Sequence, residues 1–335
     1  MLTIKEIRQL ISEKVPEGLI VPAHTENAHY YRHTPSGKLF SSVTTFMQGI
    51  VANPNLQVWS AKLAVDNLVD KLITNRSLLD DNVAIEDLKK QSIRVHKDTF
   101  EDAGGIGTVG HKTVEEYNKE WIETGVRPTD IARFLVGKDV RESAILRSAI
   151  EFYNDYYYLP IVSELLVCNL KDGYAGTLDC LGAIIVPEKT TCSTVNKNAT
   201  KHHGVEVKLD WDKHDFSWRT SSRDWTKVEC AKCGIKGKYQ IAVIDYKTSN
   251  HIKQKPTYCA QVAAYSKAFK SMTGYKPSLH VIVRLDKYQP KYEAVKVPKI
   301  EEAYKNFKLM KALCPWVDPK IEHTEPLIKK EIIKI

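Results

Sequence analysis

Five side chains in three short segments have types and spacings that could do chemistry: Asp179, Asp245, Lys247, Gln261 and Tyr265. Asp179 lies in GYAGTLDCLGAIIV (173–186), Asp245 and Lys247 in KYQIAVIDYKTSN (238–250), and Gln261 and Tyr265 in YCAQVAAYSKAF (258–269). The first two segments read as strands and the third as a helix. Strand side chains alternate faces, so Asp245 and Lys247 point the same way and Tyr246 the other. Ile241 and Val243 share the Asp245 face, and Ala242 and Ile244 share the opposite one. Both faces are therefore apolar until Asp245, as in a buried central strand that turns polar at its end. Asp179 also interrupts an apolar run, between Leu178 and Leu181. Two carboxylates brought together repel and are costly to bury unless a cation lies between them. Hard oxygen ligands with open positions suit Mg²⁺ or Mn²⁺. Lys247 adds a point charge for a phosphate oxygen, or an amine to orient an attacking water. Gln261 and Tyr265, four apart on a helix, share one face.

Plainer readings compete with this one. A single Asp-x-Lys ending a strand is usually a solvated edge, and an Asp on an apolar strand can be a satisfied turn residue. The order of the three segments, closing on a helix with Gln and Tyr one turn apart, favours a metal-dependent phosphodiesterase over those alternatives.

The series Asp179…Asp245-Tyr246-Lys247…Gln261-x-x-x-Tyr265 resembles the PD-(D/E)xK nuclease superfamily, in its RecB-like exonuclease branch. The most similar architecture is that of the mitochondrial genome maintenance type of exonuclease and its phage-encoded relatives. The resemblance runs in order over roughly residues 38–285, including FSSVTTFM ahead of the Val-Gly-His segment, and only its core motifs are specific. It implies a restriction-endonuclease-like mixed sheet flanked by helices, and hydrolysis of DNA with single-stranded regions or free ends as substrate. It also implies roles. Asp179, Asp245, the Tyr246 carbonyl and His111 would hold one or two Mg²⁺ or Mn²⁺ ions. Lys247 would stabilise the nucleophile or the phosphoryl oxygens, with Gln261 and Tyr265 positioning Lys247 or the phosphate. Glu164, in IVSELLVC, sits where that branch has an acidic residue, and His111, in GTVGHKTVEEY, matches its helix-opening His. Taken alone, His111 would be a cap or surface group, and Glu164 would orient a metal-bound water or pair with a Lys. Ser42, Thr44 and Thr45, at a helix N-terminus, form either a phosphate site or a plain cap.

A long insertion, 187–237, departs from the family pattern. Its Cys230-x-x-Cys233-Gly234 is half of a zinc knuckle, two thiolates on a tight turn. Cys192 and His203 are the candidates to close a structural Zn²⁺ site, with His202 and His214 as other choices. A redox Cys-x-x-Cys lacks the surrounding βαβ pattern, and an iron–sulphur cluster would need cysteines flanking the core, where only Cys314 lies beyond it. Trp211, Trp218, Arg219, Arg223 and Trp225 could guide a nucleic-acid strand along this insert. The zinc could equally just staple a long loop.

The elements that must position these groups follow from periodicity and turn residues. Helices are expected over 3–14, from Ser41 or Ser42 to about 49, and near 56–73, 84–98, 107–124, 129–136, 140–158, 257–272 and 299–312. Strands are expected over 161–169, 174–186, 238–247 and 279–285, with a hairpin at 29–40 and an arm near 291–297. The class is α+β: a mostly helical region (1–158) carrying His111 and covering the site, a nuclease core (159–315), and a tail (316–335). The aromatic run Phe152, Tyr153, Tyr156, Tyr157 and Tyr158 falls at helical spacing and reads mainly as core rather than as a base-stacking platform.

With 335 residues, 43% of them hydrophobic, the chain can bury a large core in one elaborated domain or two. A net charge of +8 suits a polyanionic partner. Seven cysteines, an odd number at uneven spacing, argue against a secreted disulfide framework. No apolar stretch approaches membrane-spanning length and the start is charged rather than signal-like, so a soluble intracellular protein without membrane partners is expected. Two other classes stay open: a structure-specific endonuclease, and a non-catalytic DNA-binding subunit, which would have no need of an intact Asp-Asp-Lys set.

Overall fold

A computed structural model of the protein describes residues 2–23, 29–48, 54–156, 158–187, 220–221, 224–229, 236–249, 252 and 256–314. Helix α1 (Ile4–Lys14) opens on a capping box in which Thr3 Oγ1 accepts from Glu6 N–H at 3.1 Å and Glu6 accepts from Thr3 N–H at 2.6 Å. Strands β1 (Ile20–Pro22), β2 (Tyr30–His33) and β3 (Lys38–Ser41) form a small antiparallel sheet. The β2–β3 turn is made by a 3₁₀ turn over Thr34–Ser36 and by Gly37 at φ +64°. Helix α2 (Val43–Gln48) follows, then the long helices α3 (Pro54–Thr74), α4 (Asn82–Thr124) and α5 (Val140–Tyr156).

The main sheet is built from β4 (Leu159–Asn169), β5 (Tyr174–Pro187), β6 (Thr220–Ser221), β7 (Asp224–Glu229), β8 (Lys236–Lys247), β9 (Leu279–Leu285) and β10 (Tyr292–Lys296). Helices α6 (Pro256–Thr273) and α7 (Ile300–Ala312) complete the α+β architecture. The strand order is β10-β9-β8-β5-β4, with β7 added to the start of β8 and β6 to β7. Strands β4, β5 and β8 pair antiparallel, whereas β8 and β9 are parallel and joined by α6. A parallel pair needs such a crossover because its strands run in the same direction. Ile241 and Val243 join Leu181, Phe269 and Phe307 in a core beneath α1, α2, α6 and α7. Ala242 and Ile244 join Tyr117, Trp121, Ile145, Phe152 and Tyr153 in a second core beneath α4 and α5. Strand β8 is thus sandwiched between two helical layers, and the aromatic run at 152–158 contributes Phe152, Tyr153 and Tyr158 to one of them.

Three expectations are corrected. The helices expected at 84–98 and 107–124 are one helix, α4, of 43 residues. It starts on Asp81, whose Oδ1 accepts from Val83 and Ala84 N–H, and stops at Gly125 at φ +70°. Glycines 104, 105, 107 and 110 weaken a helix by about 1 kcal/mol each relative to Ala, but packing overrides them. A Cβ at Gly107 would lie 2.8 Å from Thr248 Oγ1, and one at Gly110 2.3 Å from Ile145 Cδ1, so these glycines let α4 approach its neighbours. His111 consequently sits within a helix rather than opening one. The helix expected at 129–136 is only a 3₁₀ turn over Ala132–Leu135, with Asp130 accepting from Ala132 N–H and Gly137 at φ +75° just beyond. Part of the insertion, as β6 and β7, extends the sheet, and β1 joins the N-terminal hairpin. Among the described residues no helix is long and apolar enough to cross a membrane.

Candidate functional site

Strands β5 and β8 are paired as far as Cys180 opposite Ile244. One residue further on, Asp179 Oδ2 accepts a hydrogen bond from Tyr246 N–H at 2.8 Å. This bond places Asp179 beside Asp245 at the polar end of two otherwise apolar strands. Asp245 is 1% exposed and its Oδ2 lies 2.5 Å from Lys247 Nζ. Apart from that ion pair, neither Asp245 oxygen has a hydrogen-bond partner among the described residues. The Lys247 ammonium also stands 5.2 Å over the Tyr258 ring.

Strand β4 supplies the third carboxylate. The pairs Ser163–Cys180 and Leu165–Leu178 set Glu164 across from Asp179. Glu164 is the one non-glycine residue with positive φ among the described residues, at +53°. Helix α4 supplies His111, whose ring meets that of Tyr246 edge-on at 6.4 Å between centroids. Behind it, Tyr246 Oη is 3.0 Å from Tyr153 Oη, tying the strand end to α5. A cavity of about 550 Å³ opens here, lined by His111, Lys112 and Glu115 from α4, by Glu164 and Asp179, and by Thr248.

The charges of these groups are shifted coherently. Burial, reinforced by Asp179 and Glu115 and partly offset by Lys119, pushes Glu164 up to about 8. Burial raises Asp245 to about 6, against Lys247 and with Asp179. Asp179 is raised by burial too, although Lys247 and the Tyr246 N–H oppose the shift. Burial, then Lys247, lowers His111 to about 4, which leaves a neutral imidazole with a free lone pair at pH 7. Burial alone would lower Lys247, but Asp245 and Asp179 outweigh it and keep the ammonium charged. The three carboxylates hold protons more tightly than in water, so the site is short of positive charge.

The donor types fit a hard divalent cation: carboxylates, a neutral imidazole, and two buried oxygens of Asp245 that, among the described residues, have no hydrogen-bond partner beyond the Lys247 ion pair. Among the described residues, however, no three His, Cys, Asp or Glu side chains stand close enough together to hold a metal directly.

On the α6 side, Gln261 Nε2 donates to Tyr265 Oη at 3.1 Å, both side chains being buried. Tyr265 packs on Gly176, where a Cβ would come within 2.7 Å of the ring, and it lies in the field of Asp245 and Asp179. Gln261 thus acts on Tyr265; its described bond is not to Lys247. Ser42 Oγ takes the Thr45 N–H at 2.9 Å and meets the Thr44 and Thr45 hydroxyls at 2.7 and 2.8 Å. These hydroxyls are engaged in capping α2, and neither Ser42 nor Thr44 lines the cavity. Cys192, His202, His203, His214, Cys230 and Cys233 lie outside the described residues, as do Trp211, Trp218, Arg219 and Arg223, whereas Trp225 falls on β7.

Beyond the residues expected from the sequence, Lys112, Glu115 and Thr248 line the cavity, and Tyr31 meets the sheet nearby at Thr177. Tyr31, whose hydroxyl lies 3.1 Å from Thr177 Oγ1, has its own acidity lowered by burial and, more weakly, by Glu164. Helical spacing signals Glu115, four residues beyond His111. Nothing local in the sequence signals Tyr31, which reaches the sheet from β2. No family model matches the sequence, and no curated protein matches it.

Proposed function

We propose that this chain is a metal-dependent deoxyribonuclease with a PD-(D/E)xK type of core, acting as an exonuclease on single-stranded DNA or DNA ends. The observation that carries the reading is the pair of adjacent strand ends: Asp179 bound to Tyr246 N–H, beside a buried Asp245–Lys247 pair whose carboxylate lacks other partners. Buried carboxylates with raised affinity for protons need a cation to ionise together. Mg²⁺ or Mn²⁺, held by Asp179, Asp245, the Tyr246 carbonyl and His111 partly through its own waters, would supply a more acidic water and neutralise phosphoryl charge.

The chain's own groups do the rest. Lys247, kept charged by Asp245 and Asp179, faces the non-bridging oxygens or orients the attacking water. His111 stays neutral, so its lone pair remains available as a donor to the ion. Glu164 holds a proton up to about pH 8 and offers it to a water or a phosphate oxygen in the cavity. Tyr265, braced by Gln261, presents a hydroxyl toward the same end of the sheet. The net charge of +8 favours a polyanion, and the choice of DNA with free ends rests on the family resemblance. The restriction-endonuclease-like reading of the fold is supported by the mixed sheet between two helical layers. Cys192, His203, Cys230 and Cys233 are proposed to hold a structural Zn²⁺, which metal analysis of wild-type and Cys230→Ser protein tests. Free thiols at Cys168, Cys180, Cys259 and Cys314 accord with a reducing intracellular setting.

The reading is tested with 5′- and 3′-labelled single- and double-stranded DNA, in Mg²⁺, Mn²⁺ or EDTA. Metal-dependent cleavage that disappears in Asp245→Ala and Lys247→Ala supports it, and the label released first gives the polarity. Circular single-stranded DNA should resist. Cleavage that survives both substitutions, or none with any metal, sinks it.

A further inference from the structure

The cavity beside the carboxylates has a wall that the Asp-Asp-Lys set does not account for. Helix α4 places Glu115 one turn beyond His111, and positions four apart share a helix face. Both line the cavity, with Glu164 and Asp179 on its sheet side. Glu115 is turned inward more than its partner: the Glu115 side chain is 22% exposed and that of Lys119, which pairs with it one turn further on, is 52% exposed. Its field reaches across the cavity, since it contributes to the shift of Glu164.

The spacing of the donors gives this residue a task. No three of the described His, Cys, Asp and Glu side chains converge closely enough to bind an ion directly. Mg²⁺ keeps several of its waters and takes only one or two protein carboxylates, so other groups around a cavity of about 550 Å³ meet those waters instead. We propose that Glu115 is a positioning residue: its carboxylate accepts a hydrogen bond from a water of the hydrated divalent cation, holding the ion from the helix side. Asp179 and Asp245 hold it from the sheet side, and Lys119 competes with the ion for the same carboxylate from the outer face of the helix. This role rests on the metal-dependent reading above and adds a residue to it. Carboxylates that orient a bound ion through its outer contacts change metal affinity about 10–100-fold when removed.

Mn²⁺ binding to the full-length protein, by calorimetry and by electron paramagnetic resonance of the free ion, tests the role without any reference to activity. Glu115→Gln should weaken Mn²⁺ about 10-fold with unchanged stoichiometry, and Glu115→Asp should fall between it and wild type. Lys119→Met should bind as tightly as wild type or more so, because it leaves the carboxylate fully available. Asp245→Asn should lose the ion. Equal weakening in Glu115→Gln and Lys119→Met would mean a helix-surface ion pair only, and overturns the proposal. Wild-type affinity in Glu115→Gln, with binding lost in Asp245→Asn, overturns it while leaving the metal reading intact. No Mn²⁺ bound by the wild type overturns both. Thermal unfolding of each variant identifies any that misfolds, and Glu115→Asp then carries the comparison.

Discussion

Glu164 holds φ at +53° inside an otherwise extended strand, a conformation that costs a non-glycine residue about 1–3 kcal/mol. Its carboxyl is also raised to about 8, so the folded state binds that proton more tightly than the unfolded chain does. The contribution of Glu164 to stability is therefore fully present below its unfolded value, near 4.5, and is lost as pH rises through about 8. Glu164→Gln should accordingly raise the melting temperature of the metal-free protein at pH 8.5 and change it little at pH 4.5, in scanning calorimetry. Equal shifts at both pH values would point to altered packing rather than charge. Asp245, raised to about 6, titrates with the same sign. Because a bound cation takes the place of those protons, added Mg²⁺ should raise the melting temperature more at pH 8.5 than at pH 5.5. Lys247→Met should lower the rate of phosphodiester cleavage by about 10²–10³-fold, the size of effect seen when one electrostatic stabiliser is removed. It should also push Asp245 higher still, since Lys247 is the group that opposes its rise.

At the scale of elements, α4 shows how packing outweighs local preference. The gap between the expected helices at 84–98 and 107–124 holds Gly104 and Gly105, yet the helix runs through it and on through Gly107 and Gly110, which meet other elements closely. Three of these glycines should separate cleanly in urea unfolding. Gly105→Ala, with nothing within 4 Å of the added carbon, should stabilise by about 0.5–1 kcal/mol through helix propensity. Gly110→Ala should destabilise, because the new carbon meets Ile145 at three atoms within 3.1 Å. Gly107→Ala should hold its fold, since only the Thr248 hydroxyl stands in the way, while moving α4 away from the strand end that carries Lys247. Its signature would be weaker Mn²⁺ binding at near wild-type stability. Strand β8 was legible as a central strand because both of its faces are apolar up to Asp245. The paired helices at 84–98 and 107–124 were misread because propensity is local while the Thr248 and Ile145 contacts are not.

Across the whole molecule, burial is uneven. Tyr174–Ile184 of β5, Ile241–Tyr246 of β8 and most of helix α6 are nearly all covered, whereas α3 leaves Val58, Val65, Val69 and Ile73 exposed and meets α4 at Gln91 and Ser92. Amide exchange should follow that gradient: α3 amides should exchange orders of magnitude faster than those of Val243 and Ile244, because opening α3 uncovers little apolar surface. Protection in α3 equal to that of β8 would contradict it. The sequence alone determined the α+β class, the two faces of β8, the hairpin at 29–40 and the order in which Asp179, Asp245, Lys247, Gln261 and Tyr265 occur. These are local properties, written in periods of 2 and 3.6 residues and in turn chemistry. Only the tertiary structure decided that Glu164 stands across from Asp179, that His111 and Glu115 face them from the middle of one continuous helix, and that Tyr31 comes in from β2. Those proximities join residues far apart in the chain, and they arise from strand register and close helix approach, which no single segment encodes.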